Sequence, residues 1–369
     1  MAGAGVGAPV TSGPQASLVR VPAEWLREAT TAIFVAAGFP PAAAGEIADA
    51  LVEADLRGVP SHGVMLVPLY VERLRAGSVT RHLSATVVRD SPTFVLLDGR
   101  HAMGQLTSAQ AMDLAVARAR EYGTAAVGVR RAHHFGAAGR WAQRAAGAGC
   151  VGIALSNTTA LMPAPGGAER VVGNNPLAIA APTADGPPLV LDMALSTVAL
   201  NRIRLAAASQ QSIPPDWATG PDGVPTTDPE QAIQGMLQPA AGHKGFGLAL
   251  MIDVLTGVLT GGGWGRRVRP LYREPDRPND VAHLFLAIDP ARTGDDEFPV
   301  RTAQLAAAVR ASARAPGTDR VWTPGEAGAE RAAAQQQEGV AMDPLVIKDV
   351  CAVAESLGVR LTTPSQMEG

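Results

Sequence analysis

Segments with strand periodicity and segments with helical periodicity alternate along this chain, and the alternation limits the fold more than any other feature. Strand patterns are predicted at 93–97, 125–129, 151–155, 189–191 and 283–288. Helical patterns are predicted at 22–37, 42–56, 136–148, 196–209, 245–260 and 301–313. Ser108 is predicted to cap one more helix, which ends near Arg120. This order of elements predicts an α/β protein.

Two long segments without a clear period, 214–228 and 265–280, interrupt the pattern. The first is dense in turn residues and the second is rich in arginine and proline. Long structured loops in α/β proteins are often functional.

The composition and the charge exclude several classes of protein. Of the 369 residues, 47% are hydrophobic and 18% are charged, so the chain can build a packed core and is not wholly disordered. The 31 basic and 34 acidic residues give a net charge of −3, and aromatic residues make up 4%. We therefore expect neither nucleic acid nor a membrane as a partner. Two cysteines, Cys150 and Cys351, and seven histidines without ligand spacing predict no metal site.

The N-terminal segment 1–18 lacks both the basic and the apolar region of a signal peptide, and we expect a disordered tail there. The most apolar stretch, 248–259, is too short to span a membrane and contains Asp253. The protein is therefore expected to be cytoplasmic.

The first candidate for chemistry is the pair Ser61-His62, which follows the point where a predicted helix stops before Pro60. An imidazole can give or take a proton near neutral pH, and the Ser61 hydroxyl can bond to it or relay the proton. The alternative, which spacing alone favours, is that Ser61 caps the next helix, through Tyr70, and that His62 is a surface residue.

Polar groups also follow two predicted strands. The segment His133-His134-Phe135-Gly136 follows the strand at 125–129 and opens a helix, where free N–H groups suit a phosphate or a carboxylate. Adjacent histidines do not share a helix face, so a joint metal site is not expected. Asp192 closes the strand at 189–191, and a buried carboxylate is costly without a partner. These residues, like the turn Gly173-Asn174-Asn175-Pro176, are alternatively caps and turns.

Two further segments carry glycine next to a charged residue. Lys244 lies within Gly242–Gly247, directly before an apolar helix, which makes a cradle for an anion or, alternatively, a turn that lets helix and strand pack closely. Pro324-Gly325-Glu326 is a turn whose acid can hold a ribose hydroxyl or nothing at all. The glycines of 3–7 have no strand before them and are not a dinucleotide fingerprint.

Together these segments resemble one family, the type 2 malate/L-lactate dehydrogenases, which includes ureidoglycolate and sulfolactate dehydrogenases, diketogulonate reductases and piperideine-2-carboxylate reductases. The matching stretches occur in the family's order and cover about residues 20–345. They are ADLRGVPSHG (54–63), LYVERLRAG (69–77), HHFGAAG (133–139), NNPLAIAAP (174–182), LDMA (191–194), GVPTTDP (223–229), GHKGFGLALMIDVLTGVL (242–259), HLFLAIDP (283–290) and PGE (324–326).

The resemblance implies a nicotinamide-dependent oxidoreductase with a non-Rossmann α/β fold built around a central mixed sheet. It implies a cofactor-binding domain at 96–274 and a second domain, for substrate and dimerisation, formed from both chain ends at 19–95 and 275–369. It also implies a homodimer that acts on a small-molecule substrate, with the active site near the domain and subunit boundaries.

The resemblance assigns roles by position. His62 matches the proton donor to the reduced carbonyl or imine, Ser61 matches its relay partner, and His134 matches a histidine that acts as a base in some members. The implied cofactor contacts are His134, Phe135, Gly136, Ala137, Ala138, Thr158, Asp192, Met193, Ala194, Asn201, Arg202, Lys244, Pro324, Gly325 and Glu326.

The sequence departs from the family where substrate is bound. Leu66 stands where the family has an arginine that binds the substrate carboxylate, and Asn174 stands for a threonine that contacts substrate. An aliphatic side chain cannot replace a bidentate guanidinium. The predicted substrate is therefore a ketone or a cyclic imine, larger and less charged than malate, lactate or another small 2-oxo acid.

Two alternatives stay open at this point. Arg57 or another arginine could bind the carboxylate of a malate-like or lactate-like substrate, or the chain could be a non-catalytic relative that keeps the fold and binds a metabolite. The cofactor is NADPH or NADH. Arg202, Arg266, Arg267 and Arg269 favour NADPH if they hold its 2′-phosphate, and are otherwise a solvated face.

Overall fold

The computed structural model describes residues 18–294 and 296–362. The tail predicted at 1–18 lies outside these residues except for Leu18. Among the helices of these two ranges, none combines the length and the apolar character that a bilayer span requires.

The strands range from two to nine residues in length. The described residues form β1 (Val19–Val21), β2 (Thr86–Asp90), β3 (Phe94–Asp98), β4 (Thr124–Ala132), β5 (Val151–Ser156), β6 (Ala160–Met162), β7 (Val172–Gly173), β8 (Leu177–Ala181), β9 (Leu189–Met193), β10 (Ala218–Thr219), β11 (Met236–Leu237), β12 (Val281–Ile288) and β13 (Val340–Met342).

The helices lie between these strands and at both ends of the chain. They are α1 (Ala23–Ala36), α2 (Pro41–Leu56), α3 (Val67–Ala76), α4 (Gly104–Tyr122), α5 (Ala138–Gly147), α6 (Leu200–Ala208), α7 (Pro229–Gln234), α8 (His243–Asp253), α9 (Phe298–Arg310), α10 (Glu326–Glu338) and α11 (Pro344–Ser356). Short 3₁₀ turns occur at Pro60–His62, Val64–Leu66, Gly265–Arg267 and Pro290–Thr293, and a π-helical turn at Val254–Val258 continues α8.

A seven-stranded mixed sheet forms the centre of the molecule, and this confirms the predicted fold class. Its strand order is β2-β3-β4-β12-β5-β8-β9. Strands β3 and β4 run parallel, and every other neighbouring pair in the sheet runs antiparallel. A sheet with a single parallel pair differs from the mostly parallel, doubly wound sheet of a Rossmann domain.

Both faces of the sheet are covered. Successive residues of a strand point to opposite faces. Phe285 of β12 packs into an apolar cluster with residues of α4 and α5, whereas the preceding Leu284 packs into another cluster with residues of α8. The sheet is therefore buried between helical layers, which explains why its strands read as apolar runs.

The two ends of the chain meet in a third apolar cluster. Strand β1 pairs antiparallel with β13, and residues of α1, α2, α3 and α11 pack around them. Strands β3 and β12 belong to the central sheet although they lie across or beyond the predicted domain limits at 95 and 274. The division into domains stays a prediction.

Two predicted caps are wrong. Helix α4 begins at Gly104, and Ser108 lies buried in its interior. The first turn of α4 packs against the backbone just after β4. A β-carbon at residue 104 would come within 2.2 Å of the His133 carbonyl oxygen, so this close approach requires glycine. Ser61 does not cap the helix that contains Tyr70, since α3 begins at Val67, after two 3₁₀ turns.

Candidate active site

A cavity of about 340 Å³ lies at the carboxyl end of β4. It collects residues from the turn after α2, from the start of α5, from β9, from α6 and from the loop at 265–280. Twelve of the residues predicted to bind or react line it, namely Ser61, His62, His134, Phe135, Gly136, Ala137, Ala138, Thr158, Asn174, Asp192, Ala194 and Asn201.

A tight turn holds Ser61 and His62 at the cavity. The Ser61 Oγ lies 3.0 Å from the His62 Nδ1. Behind the turn, the buried Asp55 carboxylate accepts the Val64 backbone N–H at 2.8 Å. Gly63 is required here, because a β-carbon would meet the Asp55 carboxylate at 2.0 Å. Asp55 and Gly63 thus fix the direction in which His62 enters the cavity.

Two imidazoles in the lining of the cavity stack on each other. The ring centres of His62 and His134 are 5.5 Å apart and their planes are 23° from parallel. The Tyr70 hydroxyl lies 2.6 Å from the His134 Nδ1, and the Gln105 side-chain amide donates to that hydroxyl at 3.4 Å. Tyr70 therefore lies between a ring nitrogen of His134 and the Gln105 side-chain amide, and these contacts hold the His134 ring in place.

Burial controls the charge of these side chains. Loss of solvation lowers the pKa of His62 to about 4 and holds the pKa of His134 well below its ordinary value. Burial also raises the pKa of Tyr70, so its hydroxyl keeps its proton. At neutral pH this end of the cavity therefore carries two uncharged imidazoles and an uncharged phenol.

The neighbouring histidines belong to the packing behind the cavity. His133 turns into the interior, where its ring meets the Tyr70 ring edge-on at 5.5 Å. His283 stacks on Phe135 at 4.4 Å and lies 2.9 Å from the Ser156 hydroxyl, so it supports Phe135 from behind the cavity. In 18–294 and 296–362, no three His, Cys, Asp or Glu side chains gather as metal ligands do.

The start of α5 offers backbone donors to the cavity. Gly136 adopts a positive φ of 83°, and α5 begins at Ala138 without a side-chain cap. Asp192 accepts the Gly139 backbone N–H at 2.9 Å, and the Thr158 hydroxyl donates to the Asn174 amide oxygen at 2.9 Å. The N–H groups of the first turn of α5, one of which is bonded to Asp192, lie beside hydroxyl and carboxylate groups, and the phosphates and riboses of a nicotinamide nucleotide need donors and acceptors of these types.

Some predicted cofactor residues lie away from this cavity. Lys244 is exposed at the start of α8 and is not among the lining residues. Glu326 accepts the Thr323 backbone N–H and hydroxyl at 2.9 and 2.8 Å and pairs with Arg320. Pro324 and Glu326 line a second cavity of about 390 Å³, and Gly325 packs against Val190 of β9.

Further predicted residues have partners elsewhere. Leu66 is 1% exposed and packs in the apolar cluster of the chain ends, so its side chain does not reach the cavity. Met193 packs against the apolar cluster that includes Leu284. Arg202 stacks on Trp217 at 4.8 Å.

The other arginines that favoured NADPH also have partners within the protein. Arg267 stacks on Trp264 at 4.5 Å, whereas Arg266 pairs with Glu169 and Arg269 pairs with Glu274. None of these guanidinium groups lines the cavity, and the preference for NADPH stays a prediction.

Three other arginines do line the cavity, and none of them was predicted from the sequence. They are Arg170, Arg204 and Arg273. Arg204 lies over the Tyr272 ring at 5.3 Å and donates to the Asn201 side-chain oxygen at 3.2 Å. The available signal was the length of the loop at 265–280, which supplies Tyr272 and Arg273.

Comparison with known proteins decides the family. The family profile described as malate/L-lactate dehydrogenase matches residues 21–351. The chain belongs to that family. It is 34% identical to a malate dehydrogenase of Pyrococcus abyssi over 351 residues, which is 93% of this chain and 96% of that protein. It is 37% identical over 299 residues to a (2R)-3-sulfolactate dehydrogenase (NADP(+)) of Chromohalobacter salexigens, covering 80% of this chain and 90% of the relative.

A relative with the other cofactor and two solved structures agree with this assignment. An Escherichia coli K12 ureidoglycolate dehydrogenase (NAD(+)) is 37% identical over 284 residues, covering 77% of this chain and 81% of the relative. The malate dehydrogenase structure from Pyrococcus horikoshii OT3 superposes with a TM-score of 0.85 at 33% identity, covering 94% and 97% of the chains. A Δ1-piperideine-2-carboxylate reductase structure from Pseudomonas syringae pv. tomato superposes with a TM-score of 0.82 at 27% identity, covering 91% of this chain and 99% of that chain.

Membership makes the chain an oxidoreductase of an NAD(P)-dependent dehydrogenase family. Relatives named for NAD(+) and for NADP(+) both match it, so the family alone does not select the cofactor.

Proposed function

We propose that this protein transfers a hydride between a nicotinamide nucleotide and the C=O or C=N carbon of a small molecule, with His62 as the proton donor. What supports this function most strongly is the stacked pair of His62 and His134 in the lining of the cavity, beside the start of α5. A bound nicotinamide supplies the hydride, and the chain's part is to orient the two reactants and to manage one proton.

The residues at the start of α5, with Thr158, Asp192 and Asn201, are the groups proposed to hold the nucleotide. They combine backbone N–H donors, a hydroxyl, a carboxylate and an amide in one wall of the cavity. Lys244, Pro324, Gly325 and Glu326 remain predicted contacts, and in one chain they do not line this wall.

The protonation state of His62 decides whether oxidation or reduction can proceed without a prior proton transfer to this residue. With its pKa lowered to about 4, the imidazole is neutral at neutral pH and is ready to accept a proton from an alcohol or an amine. In the reductive direction His62 must first be protonated before it neutralises the charge that develops on the substrate oxygen or nitrogen. Ser61, 3.0 Å from Nδ1, is placed to relay that proton.

His134 is proposed to act as a donor, which differs from the role of a base. This role requires that the Tyr70 hydroxyl, 2.6 Å from Nδ1, donate its proton to that nitrogen, so that the neutral imidazole carries its own proton on Nε2. A fixed N–H donor can hold a carbonyl oxygen of the substrate or of the nicotinamide amide.

The substrate is proposed to be a ketone or a cyclic imine other than malate, lactate or a small 2-oxo acid. Leu66 packs in the core, and no guanidinium takes its place in the turn that carries Ser61 and His62. A turnover panel tests this, with pyruvate and oxaloacetate as small acids, Δ1-piperideine-2-carboxylate as an acidic imine, and 2-methyl-1-pyrroline and a β-keto ester as substrates without a carboxylate. Efficient reduction of pyruvate or oxaloacetate would contradict the proposal.

A second candidate function is a 2-hydroxy acid dehydrogenase that recognises the carboxylate elsewhere in the cavity. Arg204 favours it, because its guanidinium lines the cavity and its contacts are a neutral amide and an aromatic ring. Reduction of the 2-oxo acids, with no activity on the compounds without a carboxylate, would select this candidate. Tight binding of NADPH without turnover on the whole panel would instead select a non-catalytic relative.

We also propose a homodimer that uses α8 and its π-helical continuation. Leu248, Met251, Leu255 and Val258 recur at helical spacing and are exposed, with Met251 at 52%. Sedimentation of M251E is expected to show a shift from dimer to monomer, whereas L345E, which changes an exposed leucine of α11, leaves the dimer intact. A wild-type monomer at micromolar concentration would contradict the proposal.

A further inference from the structure

Arg73 of α3 is a fully buried cation whose hydrogen bonds go to neutral oxygens. Its guanidinium donates to the carbonyl oxygens of Pro270, Leu271, Arg273 and Arg277 at 2.6 to 3.0 Å. A further bond reaches the Ser78 hydroxyl at 3.3 Å. In the part of the chain that the structure describes, no carboxylate forms an ion pair with it.

The four carbonyls belong to one irregular loop that closes on itself. The Arg269 backbone N–H donates to the Asn279 carbonyl at 3.0 Å, and the Asn279 side-chain amide returns a bond to the Arg269 carbonyl. Between these two residues the chain turns its carbonyls inward, and the Arg73 guanidinium occupies the space they surround. Buried carbonyls without a donor are costly, so the loop depends on this cation for its shape.

The same loop supplies one wall of the cavity. Pro270, Leu271, Tyr272 and Arg273 line it, and Tyr272 lies beneath the Arg204 guanidinium at 5.3 Å. Arg73 holds the carbonyls of Pro270, Leu271 and Arg273, and the same stretch, with Tyr272, lines the cavity. The position of these side chains is therefore tied to a residue that does not itself line the cavity.

We infer that Arg73 is a positioning residue that shapes the cavity wall formed by residues 270–273 and so determines which substrates fit. The chemistry of the residue supports this role. A guanidinium presents five N–H donors in a planar fork, whereas a lysine ammonium presents three donors around one point and cannot reach four carbonyls spread along a loop. The kinetic consequence rests on the proposed function, but the effect on the loop does not.

Limited trypsin cleavage tests the effect on the loop without any substrate. In 268–280 Arg269 and Arg277 precede proline, so Arg273 is the tryptic site in this segment. Arg73→Met and Arg73→Lys are expected to raise the rate of cleavage after Arg273 at least about tenfold over wild type, because the loop loses its inner donors. Arg75→Met is the matched control, since Arg75 is exposed on the same helix and bonds to Ser356.

The kinetic arm uses the panel compound that the wild type reduces fastest. Arg73→Lys is expected to raise KM for that compound about tenfold or more with a smaller change in kcat, and to leave the NADPH dissociation constant unchanged. If Arg73→Met does not fold, Arg73→Lys alone decides. Cleavage after Arg273 at the wild-type rate, or cleavage raised equally in Arg75→Met, overturns the inference. If the panel shows no turnover, the proposed function fails while the cleavage result still decides the role of Arg73.

Discussion

The two walls of the cavity are built in opposite ways. The reaction wall, formed by the turn at 60–64 and the segment 133–136, carries neutral imidazoles held by short hydrogen bonds from Ser61 and Tyr70. The substrate wall, formed by α6 and the loop at 270–273, carries guanidinium groups and an aromatic ring. In the function we propose, the neutral imidazoles of the reaction wall manage the proton, and the long side chains of the substrate wall contact the substrate.

The largest expected effect is on the reaction wall. His62→Ala should lower turnover by about 10²–10⁴-fold, the usual contribution of a positioned acid or base. Because His62 is proposed to handle the proton and not to bind the nucleotide, the dissociation constant for NADPH should stay within about twofold of wild type. Steady-state rates, with NADPH binding followed by tryptophan fluorescence quenching, measure both. Wild-type turnover in this variant would remove His62 from the mechanism.

The neutral charge of the reaction wall predicts a pH dependence. Since burial lowers the pKa of His62 to about 4, the imidazolium fraction of the free enzyme falls about tenfold per pH unit above that value. The kcat/KM for reduction should therefore fall steadily from about pH 5 to 8, while oxidation keeps its base. A plateau for reduction that extends past the ordinary histidine pKa of 6.5 would contradict this.

Asp55, which holds the turn that carries His62, predicts a pH dependence of the free energy of unfolding. Burial raises the pKa of Asp55 from 3.8 to about 7, so the folded state favours its protonated form. Its contribution to stability is present below about pH 4 and is lost as the pH rises through 7. Relative to Asp55→Asn, the wild type should lose up to about 4 kcal/mol of unfolding free energy over that range.

Denaturant unfolding of the two proteins at several pH values measures this difference. Asp49→Asn is the control, because Asp49 is an exposed acid on the same helix, in a surface ion pair with Arg27. Parallel stability curves for wild type and Asp55→Asn would show that Asp55 titrates normally.

The smallest expected effect lies on the substrate wall. Arg204→Met should raise KM for Δ1-piperideine-2-carboxylate about tenfold, the value of one charged hydrogen bond, and leave KM for 2-methyl-1-pyrroline unchanged. Arg277→Met is the control, because its exposed side chain pairs with Glu274 and does not line the cavity. A weaker NADPH affinity in Arg204→Met, with no change in KM for the acid, would assign Arg204 to a cofactor phosphate.

The reaction wall was accessible from the sequence and the substrate wall was not. Ser61-His62 and the segment 133–138 are contiguous motifs, and the end of the buried strand β4 at Ala132 marks where the second one begins. Arg204 and Tyr272 come together through packing between α6 and a loop without a period, which no local pattern encodes. Leu66 marks a missing arginine in the sequence, but only the fold shows that this side chain packs in the core.

The elements themselves follow the same rule. Strands and helices with strong apolar periods, such as β12 and α2, were predicted within a few residues. Ser108 was predicted as a cap because serine favours that position, and the prediction failed because glycine lets α4 begin one turn earlier, against the His133 carbonyl. Tertiary contact overrode local preference there.

The most direct test of the account is to follow the label from NADPH that carries deuterium at both C4 positions into the product of a single turnover. Mass spectrometry of the product from the fastest panel substrate is predicted to show one deuterium on the carbon that was C=O or C=N, and the rate should drop strongly in His62→Ala. A product without label, or deuterated cofactor that is not consumed by any compound of the panel, would contradict the assignment of this cavity to hydride transfer.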